Sequence, residues 1–282
     1  MKPAKFDYLR PRDLAEAVRA LAAGGEDARL LAGGQSLGPM LNLRVVAPSL
    51  LVDLSRLAEL GEISERGDSA VLGAGVTHAQ IEDGALSNAT VGLAQRVASG
   101  IAYRPVRNRG TVGGSLAHAD PCGDWAPVMM ALGAELDIRG AHGTRRLAAS
   151  QLIAAPLMTT LARDEAIVSI QVPMLGGKAR WGHVKFCRKP GDFAESLAVV
   201  VIDAARDAAR VVLASRTGVP AHLFATEQCL RSRGKAGGDA WSAIAAAIEQ
   251  DVEEHALRGH WSGYDRSLHR ATLTRAVKEA LI

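Results

Sequence analysis

The amino-acid sequence predicts an α+β fold with two domains. Short strand-like runs are arranged as hairpins and interrupted by helical segments, which favours α+β over a regular doubly wound parallel sheet. The 282 residues are 48% hydrophobic and 22% charged, a composition typical of globular proteins and sufficient for one large or two smaller cores. Gly176-Gly177-Lys178 interrupts two strand-like runs, so the domain boundary is predicted between residues 1–177 and 178–282.

The first elements form a small βαβ-like unit. Asp13 and Glu16 have the spacing of a capping box, and apolar residues follow at helical intervals, so residues 13–23 are predicted to be an amphipathic helix. Apolar runs at 29–32 and 50–54 are predicted strands, and the first of them leads directly into a pair of glycines.

The middle of the chain alternates strands and helices. Thr77 and Gln80 form a second capping-box pattern, ahead of a helix predicted to reach about Leu86. A glycine-bearing turn at 140–143 is typical of a hairpin. The predicted strands are 70–73, 135–139, 145–148 and 166–172, and a further helix is predicted at 90–99.

The last segment is predicted to be a smaller α/β domain of antiparallel strands and helices. Apolar runs separated by turn residues predict the strands, and longer amphipathic stretches predict the helices. The predicted strands are 181–187, 196–203 and 209–215, and the predicted helices lie near 222–232, 240–257 and 267–281.

Composition and charge argue against several classes of protein. The formal charge of +3 is nearly balanced and aromatic residues make up only 4%, so nucleic-acid binding is not expected. Cys122, Cys187 and Cys229 are too far apart for zinc or iron–sulfur spacing, which predicts a chain without a metal site. No apolar run approaches the roughly 20 residues of a transmembrane segment, and the first residues lack the apolar core of a secretory signal. A cytoplasmic protein is therefore expected.

Two short motifs indicate other functions. The run from Gly73 to His78 begins like a dinucleotide-binding fingerprint, but His78 replaces the third glycine that close helix packing requires. The run from Gly34 to Gly38 matches the GxSxG nucleophile elbow and follows a predicted strand. This run follows only one predicted strand and one predicted helix, whereas the α/β-hydrolase fold places its nucleophile elbow after several strands. A serine hydrolase using Ser36 is therefore a less favoured alternative.

Two similar glycine pairs, in Ala32–Ser36 and Thr111–Ser115, are the most informative motifs. Each combines bare backbone with a small hydroxyl residue, and turns of this kind can direct successive N–H groups at a phosphate. Two such turns could converge on the two phosphates of a dinucleotide cofactor. The alternative is that both pairs are tight turns that serve packing alone.

An unusually polar stretch surrounds the second glycine pair and connects the chain with a known family. The run RNRGTVGGSLAHADPCGD at 107–124, together with AGGQSL at 32–37, resembles the flavin-binding medium subunits of molybdenum hydroxylases. That family includes bacterial carbon monoxide dehydrogenase and, in fused form, xanthine dehydrogenase. The resemblance covers essentially the whole chain, including the segment 185–194.

The resemblance implies a fold and a function. The implied fold is a two-lobed FAD-binding fold of the vanillyl-alcohol oxidase type over 1–177, with lobes at roughly 1–55 and 56–177, followed by the smaller domain at 178–282. The implied cofactor is FAD, which passes electrons from [2Fe-2S] clusters in a partner subunit to an external acceptor. The implied partners are a large molybdopterin-binding subunit and a small subunit with two [2Fe-2S] clusters, in a dimer of heterotrimers. No catalytic residue is expected on this chain, and a self-sufficient flavin oxidoreductase of the same fold is the alternative.

The resemblance also implies roles for single residues. Asp124 matches an acidic residue that hydrogen-bonds the cofactor, with a helix N-cap as the alternative. Lys185 is placed near the pyrimidine end of the flavin, where a cation favours the charge gained on reduction, with a solvated basic face as the alternative. Phe193 matches an aromatic residue that lies against the ring system, with a core side chain as the alternative. Backbone contact is expected from Ile167 or Val168.

The predicted FAD contacts follow from the two glycine pairs and these matches. They are Ala32, Gly33, Gly34, Gln35, Ser36, Ile101, Thr111, Val112, Gly113, Gly114, Ser115, Asp124, Val168, Lys185 and Phe193. Some positions depart from the family's usual pattern: Gln35 stands where histidine is frequent, Ser115 where aspartate or asparagine is common, and Ala102 belongs to a segment that is more usually I-G-H-P-Q. These departures leave both glycine pairs intact.

Overall fold

The computed structural model describes residues 2–232 and 240–282, and its elements confirm the predicted α+β class. Within these residues the strands form a three-stranded, a five-stranded, a four-stranded and a two-stranded sheet. Only the three-stranded sheet is parallel. None of the helices in the described ranges is long and apolar enough to cross a membrane.

The first unit of the chain is the small parallel sheet, with strand order β1-β3-β2. Its elements are β1 (Asp7–Leu9), α1 (Leu14–Gly24), β2 (Ala28–Leu31), α2 (Leu37–Asn42) and β3 (Leu50–Asp53). Asp13 caps α1 by accepting a hydrogen bond from the Glu16 amide at 2.7 Å. The predicted βαβ-like unit is confirmed, and β1 adds a third strand to it.

The second unit is the five-stranded antiparallel sheet, with strand order β4-β5-β10-β6-β7. Its elements, with the two-stranded sheet β8–β9, are β4 (Ile63–Arg66), β5 (Ser69–Gly73), α3 (His78–Glu82), α4 (Ser87–Thr90), α5 (Leu93–Ser99), α6 (Arg104–Arg107), α7 (Val112–His118), α8 (Trp125–Leu132), β6 (Glu135–Gly140), β7 (Gly143–Ala148), β8 (Ile153–Ala155), β9 (Met158–Thr159) and β10 (Ala166–Pro173). The capping box of Thr77 and Gln80 and the β6–β7 hairpin are both as predicted.

The C-terminal sheet is antiparallel, with strands in chain order. Its elements are β11 (Arg180–Phe186), β12 (Ser196–Asp203), β13 (Ala208–Ser215), β14 (Ala221–His222), α9 (Phe224–Ser232), α10 (Ala240–Gly259) and α11 (Gly263–Leu281). The predicted three strands and three helices are present, and α11 begins earlier than expected because Ser262 and Asp265 form its capping box.

The strand β12 is buried on both faces and connects the two halves of the molecule. Leu197, Val199 and Val201 belong to the main hydrophobic cluster, which includes α8 of the second unit. Ala198 and Val200 point the other way and pack with α10 and α11. Since side chains alternate across a strand, this one strand packs against both layers. The C-terminal sheet therefore lies directly against the unit that precedes it.

Several elements carry no periodic signal in the sequence. Every residue of β4 is exposed, so this edge strand lacks the alternation that identifies a half-buried strand. The strands β1, β8, β9 and β14 have only two or three residues each, too few to show a period. The largest difference concerns the second glycine pair, where the predicted turn is wrong and the helix α7 is found.

Gly182 lies at the closest approach of α11 to the C-terminal sheet. A methyl group added there would lie 2.8 Å from the carbonyl carbon of Ala276 and 3.1 Å from the amide nitrogen of Ala280. We therefore expect Gly182→Ala to destabilise the protein by about 1–3 kcal/mol, the usual cost of overpacking a core. Gly177→Ala is the matched control, because nothing lies within 4 Å of its added methyl group. Equal free energies of unfolding in urea for the two variants would contradict this packing.

Candidate functional site

A cavity of about 720 Å³ lies between the first unit, the second unit and the start of the C-terminal sheet. Its volume is within the range of small-molecule and cofactor sites, roughly 300–1,000 Å³. Most of the lining residues belong to loops, whose backbone polar groups are free to bind a ligand. All of the predicted contact residues line this cavity except Val112 and Val168.

The first glycine loop connects β2 with α2 and presents unpaired amides. The N–H groups of Gly33, Gly34, Gln35 and Ser36 donate to no described protein group. Gly34 has a φ of +73°, in the left-handed region that favours glycine, and Ser36 is right-handed at φ −99°. Successive amides in such a turn form a concave nest that binds anions. This loop has the chemistry of a phosphate cradle.

The second glycine segment differs, because its amides, apart from that of Thr111, are already used within the protein. The N–H of Val112 donates to Val76 at 3.0 Å, and that of Gly113 to Ala74 at 3.0 Å. The amides of Gly114 and Ser115 donate to the side chain and the carbonyl of Thr111, at 3.1 and 3.0 Å. The expectation that both segments offer a row of free amides is wrong for this one. The side chain of Val112 is fully buried away from the cavity.

In both segments the glycines permit close backbone packing. A Cβ at Gly33 would overlap the carbonyl group of Arg109, whose carbon would be 2.6 Å away. A Cβ at Gly113 would lie 2.6 Å from the carbonyl oxygen of Ala74. At Gly114 the nearest atom would be Thr111 Oγ1, at 2.8 Å. The packing alternative therefore explains Gly113, whereas Gly33 and Gly34 combine packing with free amides.

Lys185 and Asp124 form a buried ion pair in the cavity wall. The Lys185 Nζ lies 3.0 Å from each carboxylate oxygen but has hydrogen-bond geometry only to Oδ2. Burial raises the pKa of the Asp124 carboxyl, and the positive charge of Lys185 opposes that rise. Asp124 makes no side-chain cap, and Lys185 is only 9% exposed. The solvated basic face is therefore wrong for Lys185, and Asp124 stands at the N-cap position of α8 without capping it through its side chain.

Arg107, which the sequence analysis missed, holds another part of the wall. Its Nη1 donates to the carbonyls of Ile101 and Ala102 at 2.8 and 3.1 Å, and its other nitrogens pair with both carboxylate oxygens of Glu82 at 2.8 Å. Ala102 has a φ of +42°, so this turn needs an outside restraint. The Ala102 amide donates to Gly191 at 3.1 Å, which ties the turn to the loop carrying Phe193. No sequence motif connects these distant residues.

The structure decides two further alternatives. Phe193 lines the cavity and is 67% exposed, so it is not a core side chain. Ile167 lines the cavity and Val168 does not, which favours Ile167 over Val168 for the predicted backbone contact. The reason is a β-bulge in β10: Ile167 pairs with Ile138 and Ser169 with Asp137, so Val168 is the extra residue between them.

Ser36 lacks the partners of a catalytic nucleophile. It does lie between a strand and a helix, as a nucleophile elbow requires. However, no described side chain forms a hydrogen bond with its hydroxyl. A serine nucleophile needs a general base within hydrogen-bond reach. The geometry therefore gives no support to the serine hydrolase alternative.

These features together define a class of protein. A cavity of cofactor size, a nest of free amides and a glycine in the left-handed region fit a phosphate-bearing dinucleotide. Asp124 Oδ1 is buried and has no hydrogen-bond donor among the described residues, so it can accept from an N–H group such as that of a flavin ring. The fold and site are those of a protein that binds a flavin dinucleotide.

Comparison with known proteins identifies the family. A family described as "FAD binding domain in molybdopterin dehydrogenase" matches residues 4–175. Caffeine dehydrogenase subunit beta of Pseudomonas sp. (strain CBB1) is 34% identical over 237 residues, covering 83% of this chain and 80% of that protein. The carbon monoxide dehydrogenase medium chain of Hydrogenophaga pseudoflava is 34% identical over 286 residues, covering 100% of this chain and 97% of that protein.

A solved structure agrees with the sequence matches. Carbon monoxide dehydrogenase from Hydrogenophaga pseudoflava that lacks the Mo-pyranopterin moiety contains a chain that superimposes with a TM-score of 0.90 at 33% identity. The superposition covers 100% of this chain and 99% of that one. The chain belongs to the family of FAD-binding domains in molybdopterin dehydrogenases, and it is an oxidoreductase with FAD as its cofactor. The predicted family, fold and cofactor are confirmed.

Gly33 provides a direct test of the contact between the two glycine segments. We expect Gly33→Ala to weaken FAD binding about tenfold or more, a loss of at least 1.4 kcal/mol or so, because the methyl group would push the cradle away from Arg109. Gly38→Ala is the matched control, because nothing lies within 4 Å of its added methyl group and Gly38 does not line the cavity. Fluorescence titration of the apoproteins gives both dissociation constants. Equal constants would refute the contact.

Arg107 provides a test of the cavity wall. Arg107→Gln leaves the Oε1 of Glu82 and two carbonyls without their Arg107 donors, so we expect a loss of about 2–3 kcal/mol in the free energy of unfolding and weaker FAD binding. Arg104→Gln is the control, because Arg104 shares Glu82 but makes exposed ion pairs that solvent screens, so a smaller loss is expected. Urea unfolding and FAD titration of both variants make the comparison. Equal losses of stability and of FAD affinity in the two variants would show that the Arg107 contacts to Ile101 and Ala102 are unimportant.

Proposed function

We propose that this chain is the FAD-carrying electron-transfer subunit of a heteromeric molybdenum hydroxylase. The observation that carries the proposal is the full-length match to a protein named as one chain of carbon monoxide dehydrogenase, of which this chain covers 97%. When bound, FAD would accept electrons from [2Fe-2S] clusters in a partner subunit and pass them to an external acceptor. The residues of this chain would bind and orient the cofactor rather than act as acids, bases or nucleophiles.

The cavity suggests which residues hold the two ends of FAD. The free amides of 33–36 and of Thr111 would hold the pyrophosphate, with Ala32, Gly114 and Ser115 beside them. Ile101, Asp124, Lys185 and Phe193 would surround the flavin ring. Support comes from their shared position in the cavity wall. Ile167 replaces Val168 in this proposed set, and Val112 is removed from it.

The proposed partners are a large molybdopterin-binding subunit and a small subunit with two [2Fe-2S] clusters, assembled as a dimer of heterotrimers. Electron transfer requires a partner to approach the flavin. Leu157 and Phe193 both line the cavity, yet they are 61% and 67% exposed, and the neighbouring Tyr103 is 63% exposed. Exposed apolar side chains of this kind mark interaction surfaces. We infer that a partner subunit covers the cavity mouth.

The isolated chain tests this division of labour. Purified alone, it should bind FAD and reoxidise chemically reduced flavin, but it should not oxidise an organic substrate. Coexpression with the large and small subunits should restore substrate-dependent bleaching of the flavin. Sustained turnover by the isolated chain would favour the alternative, a self-sufficient flavin oxidoreductase. A chain that binds no FAD would contradict both.

The buried ion pair should influence the flavin reduction potential. Asp124→Asn leaves the Lys185 charge uncompensated, which stabilises the negative charge gained on reduction and raises the potential. Lys185→Met should lower the potential, by a smaller amount because Asp124 can then take up a proton. A net effect of about 1 kcal/mol corresponds to roughly 20 mV for two electrons. Spectroelectrochemical titration measures both shifts, and an unchanged potential in both variants would remove the pair from the flavin environment.

A further inference from the structure

His78 is a buried histidine at the start of α3 that the family-derived contacts do not include. Its Nδ1 accepts a hydrogen bond from the indole N–H of Trp125 at 3.0 Å. An indole nitrogen can only donate, so Nδ1 must be the unprotonated nitrogen of the imidazole. In the neutral ring the proton is then on Nε2. The contact with Trp125 therefore fixes the tautomer.

The surroundings keep the His78 ring neutral. Burial, with a smaller contribution from the positive charge of Arg107, lowers the pKa of His78 to about 4. A second proton would also have to go on Nδ1, where it would meet the indole N–H of Trp125. The ring is therefore a neutral donor at Nε2 over the physiological pH range.

The His78 ring cannot easily turn away from its position. The His78 amide donates to Gly110 at 2.9 Å, and the capping box of Thr77 holds the start of the helix. The ring also lies against the Gly110 backbone: a Cβ at Gly110 would be 2.8 Å from both Cδ2 and Nε2. Its orientation is thus determined by contacts on two sides.

The Nε2 donor is the part of the ring without a protein partner. No described residue accepts a hydrogen bond from it, and unlike the Nε2 of His183 it is not completely buried. His78 is 6% exposed and lines the cavity together with Gly110. A nearly buried N–H without an acceptor is unfavourable, so such groups are normally satisfied by a ligand or a water molecule.

We propose that His78 is an FAD-binding residue whose Nε2–H donates a hydrogen bond to an acceptor oxygen of the bound cofactor. The proposal depends on FAD binding in this cavity and adds a contact that the glycine segments do not supply. It is a binding role, because the fixed tautomer and the neutral ring leave no proton to exchange. The structural alternative is that His78 and Trp125 only connect α3 with α8.

A set of three variants separates binding from structure. His78→Phe removes the donor but leaves the buried Trp125 N–H unpaired. Trp125→Phe no longer fixes the tautomer but keeps the imidazole, so Nε2 can still carry the proton. The double variant His78→Phe/Trp125→Phe removes both polar partners, so it relieves the unpaired N–H without restoring the donor. Urea unfolding and FAD titration are measured for the full chain in each case.

The proposal expects FAD affinity to follow His78 alone. His78→Phe and the double variant should both bind FAD about tenfold more weakly, the effect of one hydrogen bond, and Trp125→Phe should change the dissociation constant about twofold or less. A wild-type dissociation constant in the double variant would overturn the proposal. Equal weakening in all three variants would also overturn it, because packing would then be the cause. A wild-type chain that binds no FAD would instead refute the cavity assignment itself.

If the variants do not fold, a spectroscopic measurement on the wild-type chain tests the same proposal. In the wild-type chain labelled with ¹⁵N-histidine, addition of FAD should shift the Nε2 signal of His78. His183 is the internal control, because it is also buried with a pKa lowered to about 4 by burial, and it does not line the cavity. A His78 signal that stays unchanged while FAD binds would overturn the proposal.

Discussion

The backbone contact between Gly33 and the Arg109–Gly110 segment is the constraint on which the site depends. It joins the parallel sheet to the antiparallel sheet at a point where no side chain fits, since even a methyl group at Gly33 would lie 2.9 Å from the Gly110 Cα. Because the two units meet backbone to backbone, the Arg109–Gly110 segment supports the first glycine loop. Its residues line the cavity, and the amides of 33–36 have no acceptor in the part of the chain that the structure describes.

The two glycine pairs look alike in sequence but have different physical tasks. Gly113 is required because α7 packs against Ala74, and the amides at its start donate to Val76, Ala74 and Thr111. The first pair keeps its amides unpaired and needs the left-handed conformation at Gly34. The second segment forms part of the cavity wall, and the first segment presents the free amides that suit a phosphate. The positions of their hydrogen-bond acceptors and the conformation of Gly34 distinguish them.

The sequence predicts those features that depend on local chemistry. Caps such as Asp13 and Thr77, the β6–β7 hairpin and the apolar strand β12 follow from short-range rules, and they were found where expected. The cavity wall depends on long-range contacts instead. Arg107 reaches Glu82 across 25 residues. The bulge at Val168 depends on how β10 pairs with the distant strand β6. Neither has a local signal.

Several polar groups that lack a partner among the described residues lie together in one cavity. The amides of 33–36, Asp124 Oδ1 and His78 Nε2 all lack a partner among the described residues, and all belong to the cavity lining. A buried ion pair such as Lys185 with Asp124 is itself weak support for stability, because desolvation offsets its attraction. The site therefore contributes little to folding until the cofactor satisfies these groups. Binding to the folded state alone then stabilises it by linkage, about 2.7 kcal/mol at a hundredfold excess over the dissociation constant. The same polar groups thus favour FAD in the cavity and allow the bound cofactor to add to the stability of the folded chain.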